Sequence, residues 1–148
     1  MLDGFILDKH NFYDFLFLLS FAENKIMRKE NKLSNMSLEL SRLVIHYLSE
    51  DQKKCDSDIK KQFRRSITSI GANIHEAAYA ESKKDFIHKF KIALKETTES
   101  QYWLKVIIHD PPTPQEIKIN QLINSIHFML VKSVKTILTK TESNERVN

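Results

Sequence analysis

A chain of 148 residues with a net charge of +4, two glycines and three prolines has the length of one domain with a real core, and it favours long helices over turn-rich β architecture. Its single cysteine, Cys55, excludes an internal disulfide and suits a reducing cytoplasm, where a lone thiol in a loop is ordinarily inert. The modest basic excess permits contact with nucleic acid or an acidic membrane without requiring it.

Residues 1–34 read as an N-terminal extension. Phe12–Ala22 is an apolar run interrupted by Asp14. It is shorter than the roughly 20 residues a bilayer takes. As a signal peptide it is poor, because Asp3 and Asp8 accompany Lys9 and no small-x-small cleavage site follows. Met27 is one candidate for the true start, which would put residues 1–26 upstream of it; an added helix and an oligomer contact are the alternatives.

The bundle proper is expected over 35–140. A first helix is predicted over about Met36–Leu48, capped by Ser34 or Asn35, with Leu40, Leu43 and Tyr47 at helical spacing. Polar residues from Ser49 to Asp58 form a loop. A second helix is predicted over about Ser57–Ala80. Its apolar stripe is Ile59, Phe63, Ile67, Ile70, Ile74 and Ala77. Beside it runs a small polar stripe, Gln62, Ser66, Ser69, Asn73 and Glu76, which lets a neighbour approach closely while Asn73 and Glu76 bond across the seam. Gly71 costs about 1 kcal/mol relative to alanine in a helix, so a close contact is expected there.

The chain folds back at Glu81–Ser82. Ser82-Lys-Lys-Asp85 resembles a capping box with Asp in place of Glu, and a third helix follows to about Ile108. Phe86, Phe90, Ala93, Thr97, Gln101 and Leu104 make its inner face, and Ile87, Trp103 and Ile107 widen it. An antiparallel hairpin turning near residue 82 would bring Arg64 and Arg65 level with Glu99 and Glu96, so ion pairs are expected. Pro111-Pro112 ends the third helix. Thr113-Pro-Gln-Glu116 then opens a fourth, a capping box with Pro at the first helical position. Its apolar face runs from Ile119 through Leu122, Ile126, Met129, Val134 and Ile137 to about Lys140. The polar residues 141–148 are expected to be a disordered tail. Four amphipathic helices with short connections make an all-α, antiparallel up-down four-helix bundle.

Catalytic signatures are missing. His75-Glu-Ala-Ala-Tyr79 departs from the His-Glu-x-x-His zinc motif at its second ligand. The predicted second, third and fourth helices hold no Glu-x-x-His pair of the di-iron type. Phosphate-binding glycine loops and a Gly-x-Ser-x-Gly elbow are absent as well. No catalytic residue, metal ligand, cofactor or small-molecule substrate is therefore expected. What remains is charge pattern. Lys84, His88, Lys91 and Lys95 step by helical spacing along an outer face, and Lys60, Lys61, Arg64 and Arg65 cluster near the start of the second helix. Such rows can track phosphates; a solvated helix face is the commoner role of such a pattern.

The central stretch closely resembles the bacterial four-helix-bundle family of the 23S rRNA intervening sequence protein. The residues that carry the resemblance are Gln62, Arg64, Arg65, Ser69, Ile70, Asn73, Ile74 and Glu76, then Ser82, Asp85, Phe86, Ile92, Ala93, Leu94, Glu99 and Leu104. It spans roughly Met27 to Thr139; Ala77 stands where many members have Gly. The resemblance implies an up-down bundle assembling into a ring, a homopentamer. The chain is also similar to the accessory protein of diversity-generating retroelements, a pentameric bundle that binds nucleic acid; reverse-transcriptase binding is not carried over. The resulting expectation is a cytoplasmic, non-enzymatic ring former that uses Lys84, Lys91, Lys95, Arg64 and Arg65 as phosphate contacts. Gln62, Asn73, Glu76 and Glu99 form its structural polar motif. The alternative is a scaffold that binds a protein partner and no nucleic acid.

Overall fold

The structure, a computed structural model, describes residues 32–50 and 55–145, with side chains as far as residue 139. Expectations about residues 1–26 and the apolar run at Phe12 lie outside the described residues. From Leu33 onward the chain forms one compact unit. Its helices are α1 over residues 32–50, α2 Ser57–Ala77, α3 Lys83–Ile107 and α4 Pro114–Glu145. Among the described residues there is no strand, and the architecture is an antiparallel four-helix bundle.

The predicted apolar stripes become the core. Leu40, Val44 and Tyr47 of α1, Phe63, Ile67, Ile70 and Ile74 of α2, Phe90, Ala93 and Leu104 of α3, and Ile119, Leu122, Ile126 and Leu130 of α4 are all buried. Side chains three and four residues apart share one helix face, so each helix delivers one stripe inward. Each fully buried side chain of this size contributes about 1.5–3 kcal/mol of transfer free energy.

Three boundaries differ from the sequence reading. Helix α1 is already helical at residue 32, and Leu33 is buried, so Ser34 and Asn35 lie within the helix and do not cap it. Helix α2 stops at Ala77, before Ala80, because the N–H groups of Ala78, Tyr79 and Ala80 donate to the carbonyls of His75, Glu76 and Ala77. These three-residue bonds tighten the chain and end the α-helical ladder. Helix α4 continues to Glu145, through residues expected to belong to a frayed tail.

The two predicted capping boxes form. At α3 the Ser82 hydroxyl accepts from the Asp85 N–H at 3.1 Å, and the shorter Asp85 carboxylate reaches back to the Glu81 N–H at 3.3 Å. At α4 the box is reciprocal: Thr113 Oγ1 accepts from the Glu116 N–H at 3.2 Å, and Glu116 Oε2 accepts from the Thr113 N–H at 2.7 Å.

Helix α1 lies against α2 and α4. The Ser34 hydroxyl meets His75 Nε2 at 2.9 Å, and Lys118 of α4 pairs with Glu39 at 3.3 Å. Gly71 faces α1, as its helix penalty suggested, but the approach leaves room. A β-carbon there would sit 3.5 Å from the Ser37 hydroxyl and 3.7 Å from that of Ser41, ordinary contact distances. Gly71→Ala is therefore expected to stabilise the fold by about 0.5–1 kcal/mol through helix propensity and a less flexible unfolded chain. A rise in the urea midpoint checks this; a fall would mean that α1 cannot accommodate the methyl group.

Candidate nucleic-acid interface

The Ser82 cap fixes where α3 begins and so which side chains it turns outward. Lys84, His88, Lys91 and Lys95 are all exposed on one stripe, about 17 Å long at 1.5 Å per residue. None of them takes part in an ion pair with a described residue. At the N-terminal end of α3 an open groove of about 770 Å³ runs between α3 and α4. It is lined by Ser82, Lys83, Lys84, Asp85, Ile87, His88, Lys91 and, across it, Leu138. Lys84 and Lys91 thus border one concave surface, and Lys95 continues the same row beyond it.

Helix α4 completes this face in a way the row of lysines alone did not reveal. From Ile117 to Thr141 the chain has no Asp or Glu, while it carries Lys118, Lys132, Lys135 and Lys140; Lys118 is turned to Glu39 of α1, and Lys132 and Lys135 are exposed. The missing acids are a sequence signal, visible only once the segment is known to be one helix beside α3. On α3 itself, Glu96 sits about 140° around the helix from Lys91, on the side toward α2, whereas Glu99 is four residues after Lys95 and borders the row, its carboxylate engaged by the Trp103 indole. The outer surface of α3 is therefore basic along Lys84, His88, Lys91 and Lys95, with Asp85 and Glu99 at its edges, and α4 adds the exposed Lys132 and Lys135 among exposed apolar residues.

The predicted Arg–Glu ion pairs do not form. Ser66 and Ser100 meet through their hydroxyls at 2.9 Å, and Glu76 binds Lys89 at 2.6 Å. These contacts set the α2–α3 register, placing Arg65 level with Gln101 and Arg64 level with Tyr102. Glu99 and Glu96 stand about one turn nearer the start of α3, and their side chains are otherwise placed. Glu99 Oε1 accepts from the Trp103 indole N–H at 3.0 Å, and Glu96 Oε2 is buried without a hydrogen-bond partner. Both arginines are exposed, but neighbours on a helix point about 100° apart. Arg65 shares a side with Ser69 and Glu76, toward α3. Arg64 shares one with Gly71, toward α1, so it stands apart from the lysine row.

The polar motif is partly as expected. Glu76 does bond across the seam, and this hydrogen bond, with the attraction of the same carboxylate, raises the Lys89 pKa. Lys89 is thereby engaged with α2 and lies outside the basic row. Asn73 does not cross the seam: its amide donates back to the Ser69 carbonyl at 2.9 Å within α2. Gln62 is half-buried. The close approach that small residues were expected to allow is made by Ser66 against Ser100, both fully buried.

At the opposite end of the bundle lies a polar cluster that pattern reading missed. Glu116 is fully buried. Besides the Thr113 N–H, its carboxylate accepts from the Tyr47 hydroxyl at 2.7 Å, the His109 N–H at 3.0 Å and the His109 ring Nδ1 at 2.6 Å. Burial by itself pushes this carboxyl up. The His109 ring, the Tyr47 hydroxyl and the two backbone donors outweigh it and hold the pKa at about 2. The cluster ties α1 to the α3–α4 loop and has the character of structural glue, since all its groups are mutually paired. Among the described residues no three His, Cys, Asp or Glu side chains group as a metal site, and no helix is long and apolar enough to cross a membrane.

Comparison with known proteins follows the same span. The family described as 23S rRNA-intervening sequence protein matches residues 29–132. The crystal structure, at 1.70 Å resolution, of a protein with unknown function from the S23 ribosomal protein family of Bacteroides thetaiotaomicron is similar to this chain. Sequence identity is 38%, the match covers 72% of this chain and 98% of that one, and the TM-score is 0.65. No curated protein matches. The matched residues contain α1, α2, α3 and most of α4, well over half of the chain, and the chain belongs to the 23S rRNA-intervening sequence protein family.

Proposed function

We propose that this protein is a non-enzymatic helical bundle that assembles into a ring of identical copies and binds RNA or DNA through its basic outer surface. The observation that carries the proposal is the surface shared by α3 and α4. There Lys84, Lys91 and Lys95 are exposed without ion-pair partners among the described residues, beside a helix that lacks carboxylates from Ile117 to Thr141. A row of cations of this kind attracts a polyanion by releasing its counterions. Arg65 extends the reach of the surface at the far end, while Arg64, on the α1 side, lies outside it.

Ring assembly draws support from a different set of side chains. A ring needs two unlike, complementary surfaces on each copy. Ile117, Phe128, Val131 and Leu138 of α4 are exposed apolar residues on one stripe, and Leu38 and Ile45 of α1 form a second. A pentamer is the size the family resemblance implies, and native mass spectrometry measures it.

The binding test is fluorescence anisotropy with labelled RNA and DNA over a range of salt concentrations. Replacing Lys84, Lys91 and Lys95 together with Gln is expected to lower the magnitude of the log–log salt slope by about 2–3, the loss of three phosphate contacts. Unchanged affinity and slope would remove this row from the interface. Absence of binding even at low salt would favour a scaffold that binds a protein partner, for which the α4 apolar stripe is the supporting observation.

A further inference from the structure

We infer that the nucleic acid this surface takes is single-stranded, with unpaired bases stacking on Tyr102 and Tyr79 at the two ends of the lysine row; this rests on the proposed nucleic-acid function. Tyr102 continues the outer stripe of α3, one heptad beyond Lys95, and is 59% exposed. Its ring is held in place. Trp103 packs against it edge-on, with centroids 4.9 Å apart and planes at 71°, and the Trp103 indole is itself fixed by Glu99 at 3.0 Å. Arg65 stands nearly level with it on α2. At the other end of the row, Tyr79 lies in the α2–α3 turn and is 88% exposed, a few residues before Lys84.

Exposed aromatic rings are uncommon on a stripe that is otherwise charged, and here they bracket it. A row of cations follows the phosphates of any nucleic acid. An aromatic face gains something further only from a base whose own face is free. In a duplex those faces are closed within the stack, and tyrosines beside the backbone would find no partner. In a single strand, the lysines hold the backbone while the terminal bases turn onto the rings, the combination used by sequence-tolerant single-strand binders. Because Trp103 and Glu99 hold the Tyr102 ring before any ligand arrives, little conformational freedom is lost on stacking.

The test compares labelled single-stranded RNA, single-stranded DNA and the matching duplex by anisotropy, using the full chain. Single strands are expected to bind more tightly than duplex. Tyr102→Ala is expected to weaken single-strand binding about tenfold while leaving the salt slope and duplex affinity as in the wild type, and Tyr102→Phe is expected to retain the affinity. Tyr79→Ala is expected to act in the same direction. Preference between the RNA and DNA arms identifies the sugar. Equal affinity for duplex, or a Tyr102→Ala variant that binds single strands normally, would overturn the stacking inference while leaving the lysine row standing. Loss of the lysine effect would remove the function beneath it. If Tyr102→Ala altered the sedimentation coefficient, the ring would belong to a contact between copies, and the inference would also fall.

Discussion

Glu116→Ala is expected to destabilise the fold by about 3–5 kcal/mol, read as a fall in the urea midpoint with an unchanged slope. The size follows from what remains after the truncation. Tyr47, the His109 ring and the N–H groups of Thr113 and His109 all donate to this one carboxylate. Removing the acceptor takes this partner from every donor at once; the Tyr47 hydroxyl is buried, whereas the His109 ring is 33% exposed and can reach water. A buried donor left unpaired costs about 1–3 kcal/mol, and loss of the reciprocal cap of α4 adds about 1 kcal/mol. Replacing all the partners with apolar groups would be a different experiment, since a buried polar cluster removed whole can be neutral. Tyr47→Phe, which removes a single donor, provides the internal comparison with a smaller loss. A loss below about 1 kcal/mol for Glu116→Ala would mean that water enters and satisfies the donors.

The same carboxylate is expected to make the protein acid-sensitive in a defined window. In the folded chain Glu116 stays ionised down to about pH 2, against an ordinary value of 4.5. Between those values the unfolded chain binds the proton and the folded chain does not, so stability rises with pH through the window. The contribution of Glu116 is complete above pH 4.5 and disappears as the pH falls toward 2. A shift of this size corresponds to roughly 3 kcal/mol. Denaturation measured at several pH values tests it against Glu116→Gln, which cannot titrate. Other carboxylates act equally in both proteins, so the two curves should converge on acidification. Parallel curves would show that Glu116 is not the titrating group.

Glu116 also shows where sequence reading reached its limit. Its role in the capping box was legible, because Thr113 and Glu116 are three residues apart and their geometry is local. Its meeting with Tyr47 was not: that hydrogen bond joins residues far apart in the chain, and Tyr47 looked like one more apolar member of the α1 stripe. His109 lies outside every helix, where no periodicity marks a side chain as inward or outward.

The lysine row was readable for the same reason as the caps. Residues 84, 88, 91 and 95 share a face on any helix, whatever packs against it. The neighbouring aromatic and the acid-free run of α4 were equally present in the sequence, but their meaning depends on which helices are adjacent. The expected Arg64 and Arg65 ion pairs failed on a smaller matter. Three-residue hydrogen bonds at Ala78–Ala80 end α2 early, and Ser66 against Ser100 fixes a register about one turn away from the expected one.

By itself the sequence determined the four helices, the capping boxes of α3 and α4, the buried stripes and the basic face of α3, because each depends on side chains within one or two turns of each other. The tertiary structure alone decided the helix register, the separation of Arg64 from the lysines, the cluster around Glu116 and the cationic surface shared by α3 and α4. Those features depend on distances between helices, and a slip of one turn, about 5 Å, changes every partner while leaving each helix's own pattern intact.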